Sequence, residues 1–164
     1  MIYIRPEAEA DYDKIHAITE AAFAPMPFSS GSEPTVIRRL RADGDATLAL
    51  VAERDDRLVG HIMFSPISVT DGGEGWIALG PVSVDPELQK QGIGQALIVE
   101  GLKHIERMGA PGCILIGNPA YYSRFGFVGD GRITYRDLPA PVVQWLSFGQ
   151  EKPGGEVTFA PGLE

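Results

Sequence analysis

In "VSVDPELQKQGIGQAL" (Val82 to Leu97) a β-branched run stops at Asp85-Pro86, and two glycines fall where a helix must begin. A strand, a tight turn and a helix in immediate succession commit the chain to an α/β architecture. Gly92 and Gly94 each cost such a helix about 1 kcal/mol relative to alanine. Two readings offset that cost. Glycine lets the backbone approach a ligand, and a helix N-terminus offers unpaired N–H groups and partial positive charge to a phosphate or pyrophosphate. Alternatively, the turn needs its glycines for packing alone. The segment has no GxxxxGK[ST], and Leu97 stands where the third glycine of GxGxxG would be, so neither common nucleotide motif applies.

The remaining chain supplies the other elements. "MIYIRP" reads as a first strand ended by Pro6, and Tyr12, Ile15, Ile18 and Ala22 recur at helical spacing between Ala8 and Phe23. "APMPFSSGSEP" is a broken loop, followed by a short helix capped by Ser32 and ended at Gly44. "TLALVAERDDRLVGHIMFSPISV" predicts a hairpin turning at Asp55-Asp56, and "WIALGPVSV" a strand with a bulge or splay at Gly80-Pro81. Ile98, Leu102, Ile105 and Met108 give the helix after Gly92 a buried stripe, "CILIG" reads as a central strand, and "PAYYSRFGF" as about two helical turns. "VVQWLSFG" and "GEVTFA" are expected to close the sheet as a hairpin over about residues 142–160. The order β-α-α-β-β-β-α-β-α-β-β, without repeats or a linker, predicts one domain over 1–164 with its core at about 2–149.

Composition narrows the function. A net charge of −8 argues against a nucleic-acid-binding surface, and no apolar run reaches the roughly 20 residues of a membrane span. The first residues lack a secretory pattern, and the lone Cys113 excludes an internal disulfide framework, so a cytoplasmic location is expected. One cysteine with scattered His16, His61 and His104 shows no zinc spacing, and no metal is expected. Residues 1–56 are the more acidic part, which suits a solubilising surface or the steering of a cationic substrate.

"QKQGIG" resembles the Q/R-x-x-G-x-G/A motif of the GNAT superfamily of N-acetyltransferases, with Gln89, Gly92 and Gly94 at its fixed positions. "GNPAYYSRFGF" (Gly117 to Phe127) is similar to the superfamily's second signature, and with "VGHIMFSPISV" (Val59 to Val69) it resembles the bacterial YhbS-like branch. The resemblance implies the GNAT fold, a mixed α/β sheet of about seven strands with flanking helices, splayed at the coenzyme A site. It implies acetyl-CoA as co-substrate and direct acetyl transfer to a primary amine of a small molecule or peptide. The same fold could also serve as a non-catalytic CoA-binding regulatory module. A homodimer through the edge of the closing hairpin is a further expectation.

Carried over residue by residue, the N–H groups of Gln91, Gly92, Ile93, Gly94 and Gln95 face the pyrophosphate. Gln89 takes the family's Arg/Gln position, and Lys90 restores the missing positive charge. The pantetheine arm pairs with the backbone of Val82, Ser83 and Val84, and an N–H near Val84 stabilises the oxyanion. Tyr122, four residues before Gly126, is the expected donor to the departing thiolate. Tyr121, about 100 degrees away on the same helix, is expected to face elsewhere. Asn118 contacts pantetheine or simply starts a helix. No carboxylate lies in "WIALGPVSV", so Glu33 and His61 are the candidate bases, each with an ordinary structural role as the alternative. Cys113 is expected in the core and not as a nucleophile. The acceptor pocket is expected under "FAPMPFSSGSEP" and the first two helices, with polyamine, aminoglycoside and lysine all open.

Overall fold

The computed structural model describes residues 1–26, 29 and 31–164. Its elements run β1 (Tyr3–Pro6), α1 (Tyr12–Phe23), α2 (Glu33–Ala42), β2 (Leu48–Arg54), β3 (Arg57–Asp71), β4 (Ile77–Val84) and α3 (Ile93–Arg107). They continue with β5 (Gly112–Ile116), α4 (Pro119–Tyr122), β6 (Ile133–Thr134), β7 (Val143–Ser147) and β8 (Gly154–Phe159). Six strands lie in the order β1-β2-β3-β4-β5-β7, while β8 pairs with β3 and β6 to complete an eight-stranded sheet. Among the described residues only β4–β5 and β6–β8 are parallel. The additional strand, β6, is two residues long, too short for an alternating pattern to announce it.

The local chemistry behind most elements is plain. Asp55 and Asp56 both take positive φ, 52° and 62°, the conformation a two-residue hairpin turn demands, and β2 and β3 pair across them. Along α3, Ile93, Leu97, Ile98 and Ile105 are buried on the sheet face formed by Leu50, Val59, Ile62 and Phe64. Each contributes about 1.5–3 kcal/mol by leaving water. Met108 ends outside this stripe, 59% exposed, because α3 stops at Arg107. The opposite face carries α1 and α2 through Ile15, Ile37 and Leu40. Tyr12, expected in that core, lies at its rim with the Arg41 guanidinium 3.8 Å from its ring centre.

The closing hairpin does not form. Both strands exist, but β7 pairs antiparallel with β5, and β8 with Ile67–Asp71 of β3. The reason lies in β3, which is 15 residues long and outruns β2 after Phe64 and β4 after Pro66. Its protruding half offers backbone groups that β8 satisfies. On its other side β8 pairs with β6, at Ile133–Gly155 and Thr134–Glu156.

β4 and β5 part company where the sequence places Gly80-Pro81. They pair only at Ile77–Cys113 and Ala78–Ile114. Against β3, the register shifts between Ile62–Val82 and Phe64–Leu79, so β4 carries one extra residue, a bulge at Gly80 and Pro81. From Leu79 onward β4 stays with β3 and leaves β5, opening a wedge in the middle of the sheet.

Candidate active site

The wedge exposes backbone groups in an alternating pattern. Asp85 N–H donates to Val59 O at 2.9 Å, which makes Asp85 and Val59 a hydrogen-bonded pair. By antiparallel alternation Ser83 with His61 is the next such pair, so Val82 and Val84 turn their N–H and C=O groups away from β3 into the gap. Ser83 therefore lies on the closed edge. Its side chain is buried and its hydroxyl donates to Thr19 Oγ1 at 3.2 Å. Of the three residues expected to meet pantetheine through their backbone, the geometry offers Val82 and Val84, the latter with its O accepting from Gln89 Nε2 at 3.4 Å, and withholds Ser83.

At the far end of β4 the wedge runs onto the start of α3. Gly92 holds the N-cap position at φ 86°, a left-handed conformation natural to glycine. The first helical bond there runs from Ala96 N to Gly92 O, and the N–H groups preceding Ala96 have no acceptor one turn back. A groove of about 460 Å³ lies over this terminus, lined by Val84, Gln89, Lys90, Gln95, Tyr121 and Arg124 together with the turn from Gly92 to Gly94. Lys90 and Arg124 supply positive charge. Arg124, which the motif comparison did not single out, is held by its Nε donating to Tyr121 O at 2.8 Å and by stacking 4.4 Å from the Tyr121 ring centre. The Gln91 side chain is directed elsewhere, its Oε1 accepting from Arg54 at 2.8 Å, which leaves that residue only its N–H for the groove.

A second cavity of about 640 Å³ occupies the wedge itself, between Leu79–Val82 of β4 and Ile116–Asn118 at the end of β5. Tyr121 lines both spaces and so marks their junction. Asn118 caps α4, its Oδ1 accepting from Ala120 N at 2.9 Å, and also lines the cavity. Tyr122 lies against Gly117, where a Cβ would come within 2.7 Å of its ring, and edge-on to Phe127. Burial, with a lesser contribution from Tyr121, pushes the Tyr122 phenol up to about 12. Both tyrosines line the cavity, contrary to the expectation that Tyr121 faces elsewhere. The α-helical part of α4 is only four residues long and sits at the mouth of the wedge, with space on both flanks; the two rings meet edge to face at 5.0 Å.

The two candidate bases separate. Glu33, first residue of α2, lines the cavity and accepts from Ser29 Oγ at 2.7 Å. His61 does not reach it. Opposite Ser83 on β3, His61 shares that residue's face of the sheet, toward α1 and α2. It is fully buried, and its Nε2 donates to Glu7 Oε1 at 2.9 Å. Burial lowers His61 more than Glu7 raises it, so it stays neutral. Arg41 grips the same Glu7 with two bonds of 2.9 Å. This is an architectural network. Cys113 is also fully buried, with burial pushing its thiol up to about 12, which removes it as a nucleophile.

Among the described residues no group of three or more His, Cys, Asp or Glu is placed to hold a metal ion, and no helix is long and apolar enough to cross a membrane. The arrangement is a helix N-terminus flanked by Lys90 and Arg124, joined to an extended slot onto which β4 backbone opens, ending beside the phenols of Tyr121 and Tyr122 and the carboxylate of Glu33.

Comparison with known proteins agrees with that chemistry. The sequence profile of the "Acetyltransferase (GNAT) family" matches residues 14–127. The uncharacterized N-acetyltransferase YhbS of Escherichia coli K12 is 35% identical over 125 residues, 76% of this chain and 72% of YhbS. A GNAT family acetyltransferase from Brucella melitensis, solved in complex with acetyl-CoA, is 40% identical with a TM-score of 0.89, covering 100% of this chain and 99% of that one. The E. coli YhbS structure in complex with CoA superimposes with a TM-score of 0.88 at 28% identity, over 99% of this chain and 91% of that one. The chain belongs to the GNAT family of acetyltransferases.

Proposed function

We propose that this acetyltransferase binds acetyl-CoA along the wedge and transfers its acetyl group directly to a primary amine. One observation carries the reading: the edge of β4 at Val82 and Val84, parted from β5, leads to the glycine-bearing N-terminus of α3. That continuity suits a ligand with a backbone-like amide arm at one end and a pyrophosphate at the other. The Brucella relative bound to acetyl-CoA and YhbS bound to CoA support it.

In this reading the N–H groups from Gln91 to Gln95, with Lys90 and Arg124, hold the pyrophosphate. The backbone of Val82 and Val84 pairs with the pantetheine amides, and Asn118 flanks the arm. A neutral amine attacks the thioester carbonyl, and the C–N bond forms as the carbonyl oxygen takes up negative charge beside a β4 N–H. Collapse breaks the C–S bond; the sulfur leaves as a thiolate facing the phenol of Tyr122. Transfer from a phenol near 12 to a thiolate whose thiol titrates near 8.5 is uphill by about 5 kcal/mol, so Tyr122 acts as a hydrogen-bond donor and solvent completes the protonation. Glu33, directly or through water, accepts the proton the ammonium must lose. The balance is one ammonium and one thioester to one amide, one thiol and one proton.

The single domain spans residues 1–164 and works in a bacterial cytoplasm, in keeping with its buried, unpaired Cys113 and its bacterial relatives. Titration calorimetry with acetyl-CoA, desulfo-CoA and ATP tests the proposal. Tight binding of acetyl-CoA and negligible binding of ATP are expected; absence of acetyl-CoA binding would overturn it.

A further inference from the structure

The acceptor end of the cavity is lopsided in chemistry. Beyond the β4 bulge its walls are Phe23 at the end of α1, Met26 just after it, and Tyr135, Phe159 and Leu163 from the last thirty residues. Against these stands one carboxylate among the described lining residues, Glu33. Ser29 occupies its Oε1 at 2.7 Å, fixing the side chain, and among the described residues none bonds Oε2. The apolar wall is also fixed. Tyr135 and Phe159 rings pack edge to face at 5.0 Å, and Glu164 ties them together by accepting from the Tyr135 hydroxyl at 3.0 Å and the Phe159 N–H at 2.9 Å. Tyr135 therefore turns its polar atom to Glu164 and presents ring to the cavity.

The acidity of residues 1–56 could have argued for a polycationic acceptor. Three of its eleven carboxylates are internally committed: Asp11 and Glu53 pair with Arg5, and Glu7 with Arg41 and His61. None of these carboxylates lines the cavity.

Resting on the acetyl-transfer reading, we infer that the acceptor is a monoamine carrying an apolar body of about aromatic size. Its ammonium group sits beside Glu33 and its body lies against Phe23, Met26, Phe159 and Leu163. A polyamine or aminoglycoside would meet the same carboxylate but leave its other ammonium groups against apolar walls, unpaired, which is strongly unfavourable.

The test is a panel assay of free thiol release with acetyl-CoA and 2-phenylethylamine, spermidine or kanamycin. Alongside it, calorimetry measures acetyl-CoA binding, and binding of each amine to the CoA-saturated protein. The expected result is a kcat/KM for 2-phenylethylamine at least about 100-fold above either polycation, with the same order of affinities. Acetyl-CoA binding combined with equal or better use of spermidine or kanamycin would overturn this inference alone, as would failure of 2-phenylethylamine to bind the CoA-saturated protein. Failure to bind acetyl-CoA would overturn the acetyltransferase reading and this inference with it. Leu163→Asp adds a second carboxylate to the wall and should move selectivity toward spermidine by about 10-fold or more. Phe159→Leu, a gentler change, should raise KM for 2-phenylethylamine several-fold while leaving acetyl-CoA affinity in place. Unchanged selectivity in both folded variants would sink the assignment.

Discussion

Gly94→Ala separates the two reasons a glycine could sit at the start of α3. A Cβ built on Gly94 lies 3.5 Å from Val84 Cγ2 and 3.7 Å from the Tyr121 hydroxyl, ordinary van der Waals contact with nothing to displace. Gly94 is not among the residues with positive φ, so alanine adopts its backbone without strain. In the free protein the substitution should therefore stabilise, by about 0.5–1 kcal/mol from helix propensity and reduced chain entropy in the unfolded state. For a chain of this length that is a rise in Tm of about 1–4 °C. The same methyl group projects into the groove where the pyrophosphate must approach the backbone. Losing close contact there should weaken acetyl-CoA binding by about 10-fold or more, or about 1.4 kcal/mol. Thermal unfolding without ligand and calorimetry with acetyl-CoA read the two effects separately. A Tm lowered by several degrees would mean that the glycine serves packing. An unchanged acetyl-CoA affinity would remove the phosphate from this turn.

Tyr122→Phe keeps the ring against Gly117 and Phe127 but removes the donor to the thiolate, so kcat should fall about 10- to 100-fold with acetyl-CoA affinity nearly unchanged; a kcat equal to wild type would refute the role. Because the phenol titrates near 12, its deprotonation should cause no loss of kcat as pH passes 10. Arg124→Ala should raise the acetyl-CoA Kd about five-fold at low salt, the difference shrinking at about 0.5 M NaCl, as calorimetry at the two ionic strengths would show. Burial alone would raise Glu7, but hydrogen bonds from His61 and Arg41 outweigh it and hold the carboxyl at about 2 against 4.5 when free. A depressed carboxyl contributes stability that is present above pH 4.5 and lost as pH falls toward 2, here about 2 kcal/mol once solvent screening is discounted. His61, kept neutral by burial below its ordinary 6.5, adds an earlier loss as pH drops through that value. Urea unfolding between pH 7 and 2 should show both phases, and Glu7→Gln should shrink the lower one, to which Asp11, held at about 2 by Arg5, also contributes.

The parts of the site that could be read from the sequence are those encoded by short-range chemistry. The turn from Gln89 to Gln95 is written in glycines and a Pro stop, and the bulge in Gly80-Pro81; both stand where those residues put them. The pairing partners of β7 and β8 were not legible, because what decides them is how far β3 runs past its neighbours, some ninety residues upstream of β8. Nor could the sequence divide Ser83 and His61 from Val82 and Val84. All four lie on strands running beside the wedge, and only the hydrogen-bonding phase of β3 against β4 decides which backbone groups face it. Arg124 was hidden for a different reason. Its charge reaches the groove by folding back along Tyr121, a placement set by the tight turn through Ser123–Phe125 after α4.

The break in the sheet and the site are one feature. A parallel β4–β5 pair continued beyond Ala78 would satisfy the N–H and C=O groups of Val82 and Val84 internally, and the slot would close. The extra residue at Gly80-Pro81 keeps β4 in register with β3 while turning it from β5, so those groups have no strand partner, and Val84 O accepts from Gln89 Nε2 at 3.4 Å instead. Unpaired backbone in a buried sheet is costly unless a partner restores the bonds, and an extended ligand with amide groups of its own is the partner that does so. In the proposed reading the stability given up between two strands is recovered on binding, so the specificity for the arm lies in the backbone and the side chains around Glu33, Phe23 and Phe159 choose the acceptor.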